Sequence, residues 1–213
     1  ASFRVGESCQ GTCDFPGIVQ EIFKVLTYMF PFPYHFFKRM HNTKIAFLFS
    51  YICTMEKAVF AAGCFWGVQH YLDMAPGVIR TTVGYTGGHK DDPSYEEVKS
   101  HTTGHAEAVE VEFDPILTSF EELCRLFFEI HDPGQTNGQG PDIGHQYRSE
   151  IFYMDDKQRV TAQKLMLILR EKGHAVHTAL TPATRFWPAE NYHQHYYHKT
   201  GHQPYCHFRI KKF

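Results

Sequence analysis

The chain has 213 residues, of which 43% are hydrophobic and 21% charged, and its formal net charge is −2. That size suits one domain with a real core. The charge balance lacks the basic excess that general nucleic-acid binding requires, and no apolar run reaches the roughly 18–20 residues of a membrane span.

Residues 1–54 differ from the rest of the chain. Tyr28-Met29-Phe30-Pro31-Phe32-Pro33-Tyr34 strings aromatics between prolines, and proline at that density breaks helices and central strands. The expectation is an N-terminal extension, leader or arm over 1–54 and a folded domain over 55–213, with Met55 a candidate natural start. The apolar stretch 45–53 faintly resembles part of an export signal but lacks a clear cleavage site. A cytoplasmic location is expected, with export as the alternative if residues 40–54 act as a signal.

From residue 57 the pattern becomes orderly. Residues 58–62 read as a short buried strand, and 65–74 as a helix stopped by Pro76-Gly77. Residues 78–84 are rich in β-branched side chains and read as a strand. A short helix is expected over 94–98 and an alternating strand over 105–113. Thr118 or Ser119 then caps a helix, with capping-box spacing to Glu121 or Glu122. A glycine-rich loop covers 132–146, a strand 149–153, and a helix runs from Asp155 or Asp156 to Gly173. The pattern ends with a strand over 175–180, a helix over 189–199 and an irregular tail. The order from 57 to 154 is β-α-β-β-α-β, so the fold class is α+β: a ferredoxin-like core with an appended helix, strand and tail.

Six cysteines occur, at positions 9, 13, 53, 64, 124 and 206, with no C-x-x-C pair. A disulfide scaffold, zinc ribbon or thioredoxin-type dithiol is therefore not expected. Cys64 stands apart because it lies at a strand-to-helix junction between Gly63 and Gly67. Helix N-terminal N–H groups favour a thiolate there, and glycines permit a tight turn and close approach of a substrate. Phe65 and Trp66 set large apolar surfaces beside it. Cys124 falls on the apolar face of its helix and reads as packing. In the alternating strand, Glu107 shares a face with Val109, Val111 and Phe113. A carboxyl group on that face is desolvated, so it should stay protonated and serve as a general acid.

These residues resemble the peptide methionine sulfoxide reductase A family. Gly63-Cys64-Phe65-Trp66-Gly67 is its signature. It is followed in order by Gly84-Tyr85-Thr86-Gly87-Gly88, Pro93-Ser94-Tyr95, Thr103-Gly104-His105-Ala106-Glu107-Ala108-Val109, Gln146-Tyr147-Arg148-Ser149 and Pro188-Ala189-Glu190-Asn191-Tyr192-His193-Gln194. The resemblance covers about residues 56–207. It implies that Cys64 attacks the sulfur of a methionine S-sulfoxide, free or in proteins, while Glu107, aided by Tyr95 and Tyr147, protonates the oxygen. Phe65, Trp66 and Gly63 would bind the substrate, and Asp142 would help hold the site. The Cys64 sulfenic acid would be resolved by Cys206, in a tail that swings in, and the disulfide reduced by a thioredoxin-like donor. No metal or cofactor is implied, and a monomer is expected. Two positions depart from the family. Asn191 replaces a common aspartate, and His207 replaces the glycine that commonly follows the resolving cysteine, which implies a stiffer tail.

Three other readings compete. His193, His195, His198, His202 and His207 could be metal ligands, though no recognisable spacing completes a set. Cys64 with His193 as base could form a cysteine hydrolase. The aromatic segment 28–37 could be a docking element.

Overall fold

The computed structural model describes residues 55–213. Cys9, Cys13, Cys53, the aromatic segment and the signal-like stretch lie outside the described residues.

The core strands are β1 (Glu56–Ala62), β2 (Val78–Thr86), β3 (Ala106–Phe113) and β6 (Ser149–Tyr153), in the order β6-β1-β3-β2 with every neighbouring pair antiparallel. That is the ferredoxin-like arrangement expected from element order. The sheet gains β7 (Ala179–Pro182), parallel to β6, and β8 (Trp187–Pro188), antiparallel to β2. Alternation sorts the strand side chains onto two faces. Ala58, Phe60, Ala62, Val109, Val111 and Phe113 pack with helices α1 (Phe65–Asp73), α3 (Phe120–Glu129) and α4 (Asp156–Glu171) in the main core. Val59, Ala61, Ala106, Ala108 and Phe152 form a smaller cluster. Cys124 is fully buried in the main core, as packing requires.

Local chemistry fixes the helix starts. Ser94 caps α2 (Tyr95–Lys99) and Ser119 caps α3, each in a reciprocal capping box with Glu97 and Glu122. Asp155 caps α4 by accepting the Gln158 N–H.

Three expectations need correction. The glycine-rich loop contains a two-rung hairpin, β4 (Gly138–Gln139) with β5 (Asp142–Ile143), which brings Asp142 toward the site. The strand expected over 175–180 forms only at 179–182. Before it, the His177 N–H donates to Pro133 O and the Arg170 guanidinium to Val176 O, so this stretch bonds to a loop and a side chain and adds no rungs. The helix expected over 189–199 is mostly a turn, with α5 (Tyr196–Thr200) at its end. The Gln194 amide ties the turn to Val83 and Ala189, and His195 takes a left-handed conformation with φ +52°. Side-chain bonds to backbone here outcompete a helical ladder.

Candidate active site

Cys64 is the N-cap residue of α1 and is 8% exposed. The chain enters it through Gly63 at φ +95°, where a Cβ would lie 2.5 Å from Gln139 Cβ. The close neighbours of the two flanking glycines are thus Gln139 at Gly63 and His207 at Gly67. The sequence pattern alone predicts a substrate in that space, so protein side chains take a place expected for a ligand.

Glu107 sits on the helix-facing side of β3 and is 3% exposed. Its Oε2 accepts the Phe65 N–H at 3.1 Å, so it satisfies a free donor of the first turn of α1 immediately beside the thiol. Burial holds the Glu107 carboxyl well above the usual carboxylate range, a negative charge on Cys64 would raise it further, and the Phe65 N–H pulls the other way. A carboxyl group raised in this way, and bonded to the residue that follows the thiol, is placed to serve as a proton donor.

Cys206 reaches the same point from the tail. Cys64 Sγ, Cys206 Sγ and an Asp142 carboxylate oxygen lie within 4.8 Å of one another, and both cysteines are free thiols. No swing of the tail is needed to bring the sulfurs together in this conformation. The proximity also changes the state of Cys64. Its hydrogen bond with Cys206 is the largest influence, followed by burial, and together they push the thiol well above its ordinary range. The Trp66 N–H at the helix start pulls the other way and is outweighed, while the negative charge of Asp142 adds to the rise. Helix-end polarity is thus opposed at Cys64 by a neighbouring thiol and by desolvation. One oxygen of Asp142, Oδ2, is buried without a hydrogen-bond partner. Two thiols and a carboxylate so placed could hold a thiophilic cation such as zinc.

The phenols of Tyr95 and Tyr147 surround this centre. Burial is the main cause that pushes Tyr95 up to about 12, and negative charge on Glu107 or Cys64 would add to it. Tyr147 rises for the same reasons. Both stay protonated at neutral pH and can donate. Trp66 is half-buried and stacks on Tyr196 at 3.9 Å between ring centroids. Phe65 is 1% exposed and belongs to the core, 5.9 Å from the Tyr85 ring. Of the two aromatics, Trp66 offers surface and Phe65 backs it.

Two supports have no role in the reductase reading of the sequence. Glu190 accepts the Tyr85 hydroxyl and the Tyr95 N–H, each at 3.0 Å, and so joins β2 to the start of α2. His193 is 1% exposed; its Nδ1 accepts the Trp66 indole N–H at 3.1 Å, and its ring lies 4.5 Å from that of Tyr95. Both residues fall inside the motif Pro188–Gln194, which was the available signal. His193 is thus engaged by Trp66, not by Cys64, and the hydrolase arrangement does not form. Of the other tail histidines, His195 pairs with Asp73 at 2.8 Å, and exposed His198 and His202 line a 250 Å³ groove behind Trp66. His207 bonds to Cys206 and Ala62. Among the described residues these histidines form no three-ligand set. No helix among those residues is long and apolar enough to cross a membrane.

Known proteins match the chain in sequence and in fold. The family model described as "Peptide methionine sulfoxide reductase" matches residues 56–213. Peptide methionine sulfoxide reductase MsrA of Geobacter sulfurreducens is 51% identical over 151 residues, covering 70% of this chain and 93% of the relative. The MsrA of Methanosarcina acetivorans is 47% identical, covering 69% and 80%. Among solved structures, reduced Mxr1 of Saccharomyces cerevisiae aligns with a TM-score of 0.69 at 35% identity, over 74% of this chain and 93% of that one. Methionine sulfoxide reductase A of Corynebacterium diphtheriae gives 0.64 at 34%, over 72% and 78%. The yeast protein has also been crystallised in complex with Trx2.

Proposed function

Because the chain belongs to the peptide methionine sulfoxide reductase family, an oxidoreductase family, we propose that it reduces methionine S-sulfoxide through a Cys64 sulfenic acid resolved by Cys206. The observation that carries this reading is the buried Glu107 carboxyl accepting the Phe65 N–H beside Cys64, with the Cys206 thiol alongside. The substrate sulfoxide, free or in a protein, sits against Trp66 with its oxygen toward Glu107, Tyr95 and Tyr147. Glu107 protonates that oxygen as the Cys64 sulfur attacks, and the thiol proton of Cys64 replaces the one Glu107 gave. The sulfoxide S–O bond then breaks, the protonated oxygen passes to the Cys64 sulfur as a sulfenic acid, and methionine leaves with the two electrons that this sulfur gives up. Asp142 orders the two sulfurs. Cys206 then attacks the Cys64 sulfur, water departs, and a thioredoxin-like donor reduces the resulting disulfide.

In the same reading residues 55–213 are the reductase domain and residues 1–54 an extension. The protein acts as a monomer, in a reducing cytoplasmic compartment where its thiols stay free.

The test supplies the two sulfoxide epimers separately to the full chain and maps disulfides by mass spectrometry. The expected result is turnover of the S epimer, a Cys64–Cys206 bond, and no activity in Cys64→Ser. Cys206→Ser should release one equivalent of methionine and then stall with thioredoxin as the reductant. Turnover of the R epimer alone, or full activity in Cys64→Ser, would overturn the reading.

A further inference from the structure

His207 follows Cys206 directly, is 1% exposed, and has its ring held from two sides. Nε2 lies 2.7 Å from the Ala62 carbonyl oxygen. A carbonyl can only accept, so Nε2 carries the ring proton. A neutral ring then presents a lone pair at Nδ1, and Nδ1 lies 3.1 Å from Cys206 Sγ. The Cys206 S–H therefore donates to His207. Burial is what keeps the ring neutral, against the Ala62 bond and the charge of Asp142. The fit is close: a Cβ on Gly67 would lie 2.2 Å from Nδ1 and 2.9 Å from Cγ, so the ring occupies the space this glycine leaves. Cys206 is 6% exposed, so its proton has little bulk water to go to.

We propose that His207 is a further catalytic residue, the base that takes the thiol proton of Cys206 in the resolving step. The proposal rests on the reading of Cys206 given above. The thiolate is the attacking form in thiol exchange. As the Cys206 S–H bond breaks, its proton moves to Nδ1 and its electron pair attacks the sulfenic sulfur of Cys64. The S–S bond forms and the S–O bond breaks. The departing hydroxide takes the proton back from the imidazolium and leaves as water. The Cys206 sulfur is oxidised and the Cys64 sulfur reduced, so no outside oxidant is required. The titratable groups facing the ring are the two thiols, Asp142 from β5, His131 beyond the end of α3, and Tyr71 of α1, whose hydroxyl donates to the His207 carbonyl at 3.3 Å.

The experiment tracks one turnover of the reduced full chain with one equivalent of methionine sulfoxide. Methionine release and disulfide closure are timed separately by thiol trapping and mass spectrometry, across a range of pH. The variants are His207→Gln and His207→Gly, with thermal melts to verify folding. The ratio of closure rate to release rate should fall about 100-fold or more in both, within the range typical of general-base catalysis. Closure in the variants should rise about tenfold per pH unit, as for an unassisted thiol, while the wild-type profile is flatter over the same range. Added imidazole should restore closure in His207→Gly. A wild-type ratio and pH profile in His207→Gln would overturn the role of His207 alone. Absence of the Cys64–Cys206 bond in the wild type would overturn the reading of Cys206 and this proposal with it.

Discussion

Cys64 leaves the end of β1 and enters α1, whereas Cys206 lies in a stretch without regular structure between α5 and the C-terminus. The first region is held by sheet ladders and helix packing, and Glu107 comes from the central strand β3 of the same sheet. The second is held by separate bonds to the elements it crosses. The Ile210 N–H donates to the Glu129 carbonyl, Arg209 pairs with the Glu129 carboxylate, and the Lys212 ammonium donates to the Phe128 and His131 carbonyls. Regular elements place an attacking atom through cooperative backbone geometry, so one lost contact shifts it little. A strapped tail places its atom through a sum of local contacts, each replaceable in part. The two regions should therefore differ in how they fail.

The largest effect is expected on the regular side, at Glu107. Glu107→Gln keeps the shape but cannot give up a proton. It should lower kcat/KM by about 10²–10⁴-fold, measured by steady-state kinetics on the S epimer. In the wild type, activity should fall as pH rises through the raised pKa of Glu107, and the variant should lose that limb. Stability carries the same sign. A carboxyl whose folded pKa is raised contributes fully below its unfolded pKa of about 4.3 and loses that contribution as pH climbs through the folded value. Glu107→Gln should therefore be less active yet less sensitive to alkali. Equal alkaline unfolding of the two proteins would refute a protonated Glu107.

Next comes His131, where the regular core meets the strap. Its Nδ1 donates to the Phe127 carbonyl at 2.6 Å, and its Nε2 accepts from Ser149 Oγ at 2.7 Å, which in turn pairs with Thr178. Those partners suit a neutral ring. Burial is the main cause that pushes its pKa down to about 3, with His207 and Lys212 adding to it. A folded pKa below the unfolded value of about 6.5 means stability that is present above pH 6.5 and lost as pH falls toward 3. The loss should amount to a few kcal/mol, given about 1.4 kcal/mol per unit. Denaturant melts between pH 7 and pH 4 should show it, with a shallower slope in His131→Gln. An unchanged slope in that variant would assign the acid sensitivity to other groups.

The same contrast explains what the sequence made legible. The alternation in β3 placed Glu107 on the core face, and the capping pairs of Ser94 and Ser119 marked two helix starts. Both signals are local, because side chains a few residues apart determine them. The turn at 191–195 was not legible as a turn, since its cause is Gln194 bonding to Val83 on a distant strand. The raised pKa of Cys64 was hidden from the sequence for a similar reason. Its helix position was visible, but the Cys206 thiol that outweighs it comes from the far end of the chain. His207 read as a residue that stiffens the tail. Its acceptor role depends on the Ala62 carbonyl fixing the ring proton, and no spacing in the sequence announces that bond.

The smallest effect should come from the strap itself. The Arg209 side chain pairs with Glu129 at 2.9 Å but is 60% exposed. Solvent screening limits such a pair to about 1 kcal/mol or less. Ile210, Lys212 and Phe213 still hold the strap when it is removed, the last packed on Phe128 and beneath the Arg125 guanidinium. Arg209→Ala should therefore move the denaturant midpoint only slightly and change disulfide closure less than about twofold, because Cys206 is also anchored through His207 to β1. If Arg209→Ala instead slowed closure tenfold with methionine release intact, the tail would be balanced on a single contact. Cys206 would then be placed by one ion pair and not by a set of independent bonds.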